Sequence, residues 1–278
     1  MNLYVAEQEL DENKKYTIRV VEEISQEELD SLNKGFAFCG IRHSITEIKN
    51  IVMENGENFK SWMNKENLRK QYAEGMTPEK IVLTANKLIL NYAASLKTYV
   101  DIEIRILSQN KKKELERFNN LTHTFYDNKM EYRFWMRFRN YVVHCAFPYT
   151  EFRVDEENGV QVICEKKHLL EFQNWKQAQV DVEKMNEMVD LTQLIDPMST
   201  IIYEMYIDFH AIFGKEIVDG NSCYAEFRRK HGVKHPIIMK SRGATKIDEC
   251  GVQPLMEKEL CEAFEILRKN PNVKINVV

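Results

Sequence analysis

Residues 130–148, MEYRFWMRFRNYVVHCAFP, constrain the fold more than any other stretch, because they are strongly hydrophobic and also carry reactive polar groups. A helix this rich in Phe, Trp, Tyr, Val and Met must be buried, so each of its charges needs a partner or a cleft. Turning about 100° per residue, Phe134, Phe138, Tyr141 and Cys145 form one stripe, with Cys145 read as core packing. Trp135 with Val142, and Met136 with Val143 and Phe147, extend the apolar surface most of the way round. The polar band that remains consists of Arg133, Arg137, Asn140 and His144, one helical turn apart in succession. Arg139 falls outside that band, among Tyr132, Met136 and Val143, where an unpaired charge is costly.

Two arginines, an amide and an imidazole in a row suit a phosphodiester. Guanidinium groups hold non-bridging oxygens and an imidazole moves protons near neutral pH. The same band also suits a solvent-facing polar stripe with an ordinarily bonded histidine, and Arg139 suits a salt bridge or a stem that reaches the surface.

The chain around this segment reads as a mainly α protein. At 278 residues it can bury a substantial core. Helical periodicity runs from about Phe36 to a stop at Asn55-Gly56, and a long helix starts at Thr77-Pro78 and continues through Leu107. A more polar helix covers residues 111–126. A hairpin is expected where residues 152–154 and 160–164 flank Asn158-Gly159, followed by helices over residues 180–194 and beyond Pro197, the last stopped by Gly214 or Gly220. Strands are expected over residues 15–22, paired with Leu3-Tyr4-Val5, and at residues 237–239 and 273–278 around a helix over residues 255–269. The division that follows is an N-terminal strand-containing segment (1–35), a helical domain with a hairpin insertion (36–218) and a small α+β C-terminal region (219–278).

The balance of 39 Lys and Arg against 43 Asp and Glu leaves a formal charge of −4, so any nucleic-acid affinity must come from a local patch. Residues 227–247 hold the largest basic excess, which suits either an RNA backbone or a solvated surface. The six cysteines are scattered without a C-x-x-C pair, and no run of about 18 apolar residues is present. These features, with no signal pattern at the start, lead us to expect a cytoplasmic chain with no membrane span, no structural metal and no cofactor.

Arg139-Asn140, three residues and His144, on a helix of a helical domain, resemble the R-x4-H signature of the HEPN superfamily (higher eukaryotes and prokaryotes nucleotide-binding domain). The hairpin and the WKQAQVDVEKMNEMVDLTQLI segment that follow are similar to those of bacterial HEPN-like proteins, so the resemblance spans about residues 36–215. It implies a HEPN-like helical bundle and a metal-independent endoribonuclease of a toxin or phage-defence system, leaving 2′,3′-cyclic phosphate ends. Arg139 and His144 would be its catalytic pair and Asn140 the residue that orients them; beside them, Arg137 and Arg133 of the polar band are expected to contact the substrate phosphates, with Arg137 taking the place of Arg139 if that residue is structural. Members of the superfamily that lack catalysis bind nucleic acid or proteins instead, and a helical structural protein is a further alternative. Positions five apart lie roughly 140° apart on a helix, and the resemblance implies a homodimer that brings two motifs to one cleft. It also implies RNA as substrate and an antitoxin or other protein as partner.

Overall fold

The structure, a computed structural model, describes residues 2–10, 16–155, 159–240 and 251–274. It is mainly α-helical. The chain runs through β1 (Leu3–Leu10), β2 (Tyr16–Ile24), α1 (Gln26–Gly35), α2 (Ala37–Met63), α3 (Lys65–Ala73), α4 (Pro78–Asn110), α5 (Leu115–Asn128) and α6 (Met130–His144). It continues through β3 (Glu151–Asp155), β4 (Gly159–Ile163), α7 (Lys166–Leu170), α8 (Gln179–Lys184), α9 (Ile195–Ile212), α10 (Gly214–His231), β5 (Pro236–Met239), β6 (Gln253–Pro254) and α11 (Glu257–Arg268). Two compact units result: Ile45–Tyr206, and Met1–Ser44 with Ile207–Val278, the boundaries falling inside α2 and α9. Among the described residues no helix is long and apolar enough to cross a membrane.

The larger unit is helical. Thr77 caps α4 by accepting from the Lys80 amide, Pro78 fills the first turn, and the helix buries Ile81, Ala85, Ile89, Tyr92, Leu96 and Tyr99 at three- and four-residue spacing. The helix expected to stop at Asn55-Gly56 runs on to Met63. Gly56 is there for closeness: a Cβ would lie 2.9 Å from Ile195 Cγ2 and 3.0 Å from the Tyr92 ring. Asn64 then caps α3, which sequence periodicity passes over, its side chain accepting from the Glu66 and Asn67 amides. Lys111 to Lys113 lie outside the helix expected over 111–126, which forms as α5.

The β3–β4 hairpin pairs Glu151 with Ile163 and Asp155 with Gly159, whose φ of +70° suits a glycine. Asn158 of the expected reversal lies outside the described residues. Beyond it, the helix expected over 180–194 ends at Lys184. Residues 187–189 instead bond the end of the hairpin, with Lys166 N–H donating to Glu187 O at 2.9 Å and Val189 N–H to Cys164 O at 2.8 Å. Asp190 then accepts from the Thr192 amide at 3.0 Å, opening a short 3-10 turn rather than a helix.

The smaller unit is built on a sheet with strand order β2-β1-β5-β6. The expected pairing of the first two strands forms antiparallel, with Leu3 opposite Ile24. The sequence division set residues 1–35 apart from 219–278, but β1 also pairs with β5, Val5 facing Ile238, so the two ends share one sheet. A two-stranded ribbon leaves an edge of unpaired amides and carbonyls, and β5 covers it. Side chains alternate: Leu3, Val5, Ile24 and Ile238 pack with Leu32, Phe36, Tyr224, Phe227 and Leu260, while Tyr4, Ala6, Ile237 and Met239 form a second cluster. Of the strand expected over 273–278, Val273 and Lys274 are not strand, and the rest lies outside the described residues.

α9 ends at Ile212, but the break falls at Phe213: Gly214 is the first residue of α10 and Gly220 lies within it. A Cβ at Gly220 would lie 2.3 Å from the Gly35 carbonyl oxygen, whereas a Cβ at Gly35 would meet Cys223 at 3.4 Å. Gly220→Ala should therefore lose about 2–3 kcal/mol in urea denaturation despite the better helix propensity of alanine, because backbone must move to admit the methyl. Gly35→Ala should stay within about 1 kcal/mol of the parent.

α1 starts with a capping box in which the Glu28 amide donates to Ser25 Oγ at 3.1 Å and the Ser25 amide to Glu28 Oε2 at 3.0 Å. Lys230 of α10 also donates to that carboxylate. Lys230 and then the Ser25 amide hold the Glu28 carboxyl down to about 2, against an ordinary value of 4.5. This contribution to stability is complete above about pH 4.5 and is lost as the pH falls through about 2. Glu28→Gln should flatten that part of the acid unfolding curve, followed by circular dichroism, and lower stability at neutral pH.

Candidate functional site

The face of α6 turned inward is aromatic. Phe134, Trp135, Phe138 and Tyr141 are fully buried, the Phe134 ring stacks on Trp175 at 5.4 Å, and Tyr141 stacks on the same indole at 5.8 Å. Trp135 meets Tyr92 of α4 edge-on at 4.9 Å and donates from Nε1 to Leu194 O at 3.2 Å. These contacts fix the rotation of α6 and hence which residues it shows to solvent.

The apolar surface does not close around the helix as periodicity suggests. Val143 and Phe147 are 52% and 53% exposed, and Met136 is half-buried. Arg139 is accordingly exposed rather than enclosed by apolar neighbours, and no buried partner is required to explain it. Cys145, expected in the core stripe, is exposed as well. The helix ends at His144, and Cys145 leaves it at φ −126°, ψ −80°, so the stripe is not continued. His144, the last residue of α6, is exposed. Among the described residues neither Arg139 nor His144 has a side-chain hydrogen bond or ion pair. On the helix they flank Asn140 and Val143, roughly 140° apart.

The other two arginines are engaged. Arg133 donates from Nε and Nη2 to both oxygens of Asp181 on α8, at 2.7 and 3.0 Å. Its Nη1 donates to the Tyr126 and Asp127 carbonyls in the last turn of α5. The Asp181 carboxylate raises the Arg133 pKa, and both side chains are largely buried. A phosphate at Arg133 would have to displace this carboxylate, so its contacts are those of a clamp between α5, α6 and α8. Arg137 donates from Nε to the Tyr126 hydroxyl at 3.1 Å and lies over that ring at 5.8 Å from its centre. Its Nη atoms have no partner among the described residues.

Arg137 and Asn140 line a cavity of about 310 Å³ between α4, α5 and α6, with Lys97, His123, Tyr126 and Met136 among the other walls. None of the described residues lining it is a carboxylate, although Lys97 pairs with Asp101 one turn along α4. Tyr132, also of its lining, is nearly buried, and burial followed by the nearby Glu103 raises its hydroxyl pKa. Lys97, His123 and Tyr126 were not singled out in the sequence. The signal available was the three-residue spacing of His123 and Tyr126 on one face of α5.

Several basic residues in the described part of the stretch 227–247 are paired with acids of its own unit. Lys230 meets Glu28, His231 meets Glu22 at 2.5 Å, and Arg228 lies 3.7 Å from Glu257. Residues 241–247 lie outside the described residues. Among the described residues no group of three or more His, Cys, Asp or Glu could hold a metal ion.

If Arg133 is the clamp its contacts describe, Arg133→Ala should cost about 2–3 kcal/mol of stability by leaving Asp181 and two helix-end carbonyls without donors. A thermal-melt double-mutant cycle with Asp181→Ala should show coupling of about 1 kcal/mol or more, which an exposed surface pair would not give. In comparisons with known proteins, no family model, no curated protein and no solved structure matches the chain.

Proposed function

We propose that this protein is a metal-independent endoribonuclease of HEPN type, with Arg139 and His144 as the catalytic pair and Asn140 as the residue that orients them. The observation that supports this reading is the unequal use of the polar residues of α6. Arg133 and Arg137 are tied to Asp181 and Tyr126, while Arg139 and His144 stand exposed with no side-chain partner among the described residues. A free guanidinium and a free imidazole flanking an amide are the groups that an incoming phosphodiester needs.

In the proposed reaction the RNA 2′-oxygen attacks the adjacent phosphorus and the bond to the 5′-oxygen breaks. The products are a 2′,3′-cyclic phosphate and a 5′-hydroxyl. The proton of the 2′-hydroxyl goes to a base and the leaving 5′-oxygen receives one from an acid. His144 takes one of these roles, and His144 of a second copy takes the other in the homodimer we propose. Arg139 neutralises charge on the pentavalent phosphate, and no step calls for a metal ion. A toxin or phage-defence role in the cytoplasm, restrained by an antitoxin or another partner protein, is the setting in which such an activity fits.

The angular separation of Arg139 and His144 favours a second reading, a catalytically silent HEPN-like module that binds RNA through the same face. Purified protein incubated with RNA in EDTA separates the two. The ribonuclease reading expects cyclic phosphate ends, and His144→Ala and Arg139→Ala should each lower the cleavage rate by about 100-fold or more. Both positions are exposed, so the variants should melt within about 0.5 kcal/mol of the parent. Equal rates in all three proteins would sink the catalytic assignment, and binding without cleavage would leave the silent module.

A further inference from the structure

The geometry points to the cavity between α4, α5 and α6 as the subsite for one nucleotide of single-stranded RNA, next to the phosphate that is cut. This rests on the ribonuclease reading for its neighbour and shares Asn140 with it, but its phosphate contact stands on separate residues.

The first of these is Arg137. The Tyr126 hydroxyl accepts from its Nε, and the ring lies under the guanidinium, so the side chain is held in one orientation with its two Nη groups unpartnered among the described residues. A guanidinium fixed at one end and open at the fork suits a non-bridging phosphate oxygen pair. Lys97 adds a second cation, shared with Asp101, and His123 stands exposed on the α5 wall. With Lys97 shared with Asp101, the charge the cavity offers an anion is chiefly that of the open Arg137 fork.

The remaining walls suit a base. Met136 and Val100 add apolar lining, and the Asn140 amide offers a donor and an acceptor to a base edge. Its volume of about 310 Å³ lies at the small end of ligand pockets, which begin at about 300 Å³, and so admits one nucleotide unit rather than a duplex. The placement also fits the direction of the chain. Arg137, Asn140 and His144 follow one another along α6 at one-turn spacing, so a strand seated at Arg137 and Asn140 reaches the imidazole at the next turn.

The test is fluorescence anisotropy with a labelled ten-nucleotide single-stranded RNA, in the His144→Ala background to prevent cleavage, alongside cleavage kinetics in the parent background. Arg137→Gln should weaken RNA binding by about tenfold and flatten the salt dependence by about 0.7 in log–log slope, the change expected for one phosphate contact on a single strand. Asn140→Ala should alter which base is preferred. His123→Glu, at an exposed position that does not endanger folding, should weaken binding by placing an acid on the cavity wall. Unchanged affinity and salt slope in Arg137→Gln and His123→Glu would overturn the subsite, and if the parent still cleaves RNA the ribonuclease reading survives that result. Loss of binding in these variants, with no cleavage by the parent, would keep the subsite and remove the enzyme. Adenosine monophosphate binding as tightly as the oligonucleotide would also overturn the proposal, since it would make the cavity a site for free nucleotides.

Discussion

The packing of α6 against Trp175, and of its own Trp135 against Tyr92, governs the rest of the larger unit. Phe134 and Tyr141, two turns apart, stack on the same face-to-face partner, Trp175, while Trp135 meets Tyr92 edge-on. Trp175 is itself anchored, donating to Leu169 O at 2.7 Å. Each aromatic pair adds about 0.5–1.5 kcal/mol beyond the area it buries, but the larger effect is geometric. A helix held by rings on both flanks cannot rotate without emptying the core, so the direction of every other side chain on α6 follows from these contacts.

That fixed rotation sorts the arginines. Arg133 faces the end of α5 and the Asp181 carboxylate, where partial burial strengthens a bidentate pair. Arg137 is aimed by Tyr126 toward the α4–α5–α6 cavity. Arg139 and His144 are left in water with Asn140 between them. The four cationic or ionisable groups look alike in sequence, yet one acts as a clamp, one lines a cavity and two stand free.

Much of the fold was legible in the residues. Thr77-Pro78 starts α4, the β-branched run from Tyr16 forms β2, and Pro236 to Met239 forms β5. These signals are local, since a cap or a period of two acts within a few residues. The glycines were harder to read, because Gly56 and Gly220 admit close neighbours rather than ending helices, and the neighbours, Tyr92 with Ile195 and the Gly35 carbonyl, are remote in sequence. Residues 187–189 follow the same logic, as pairing with the hairpin end outweighs their helical spacing. The sharing of one sheet by both ends of the chain was equally hidden, because it depends on β1 offering its second edge to β5.

At the candidate site, sequence alone picked out α6 and named Arg139, Asn140 and His144 on it. Helical spacing, a property of a single segment, supplied the band that holds Asn140 and His144, whereas Arg139 was named by the R-x4-H resemblance and its apolar neighbours. The sequence also suggested that Arg139 was enclosed, since a helical wheel counts apolar neighbours but not what covers them. Only the tertiary structure decided that Val143 and Phe147 stay exposed, that Asp181 occupies Arg133, and that Tyr126 and Lys97 join Arg137 and Asn140 around one cavity. Those outcomes depend on which distant segments pack against α6, and burial and charge pairing are properties of that assembly rather than of the helix.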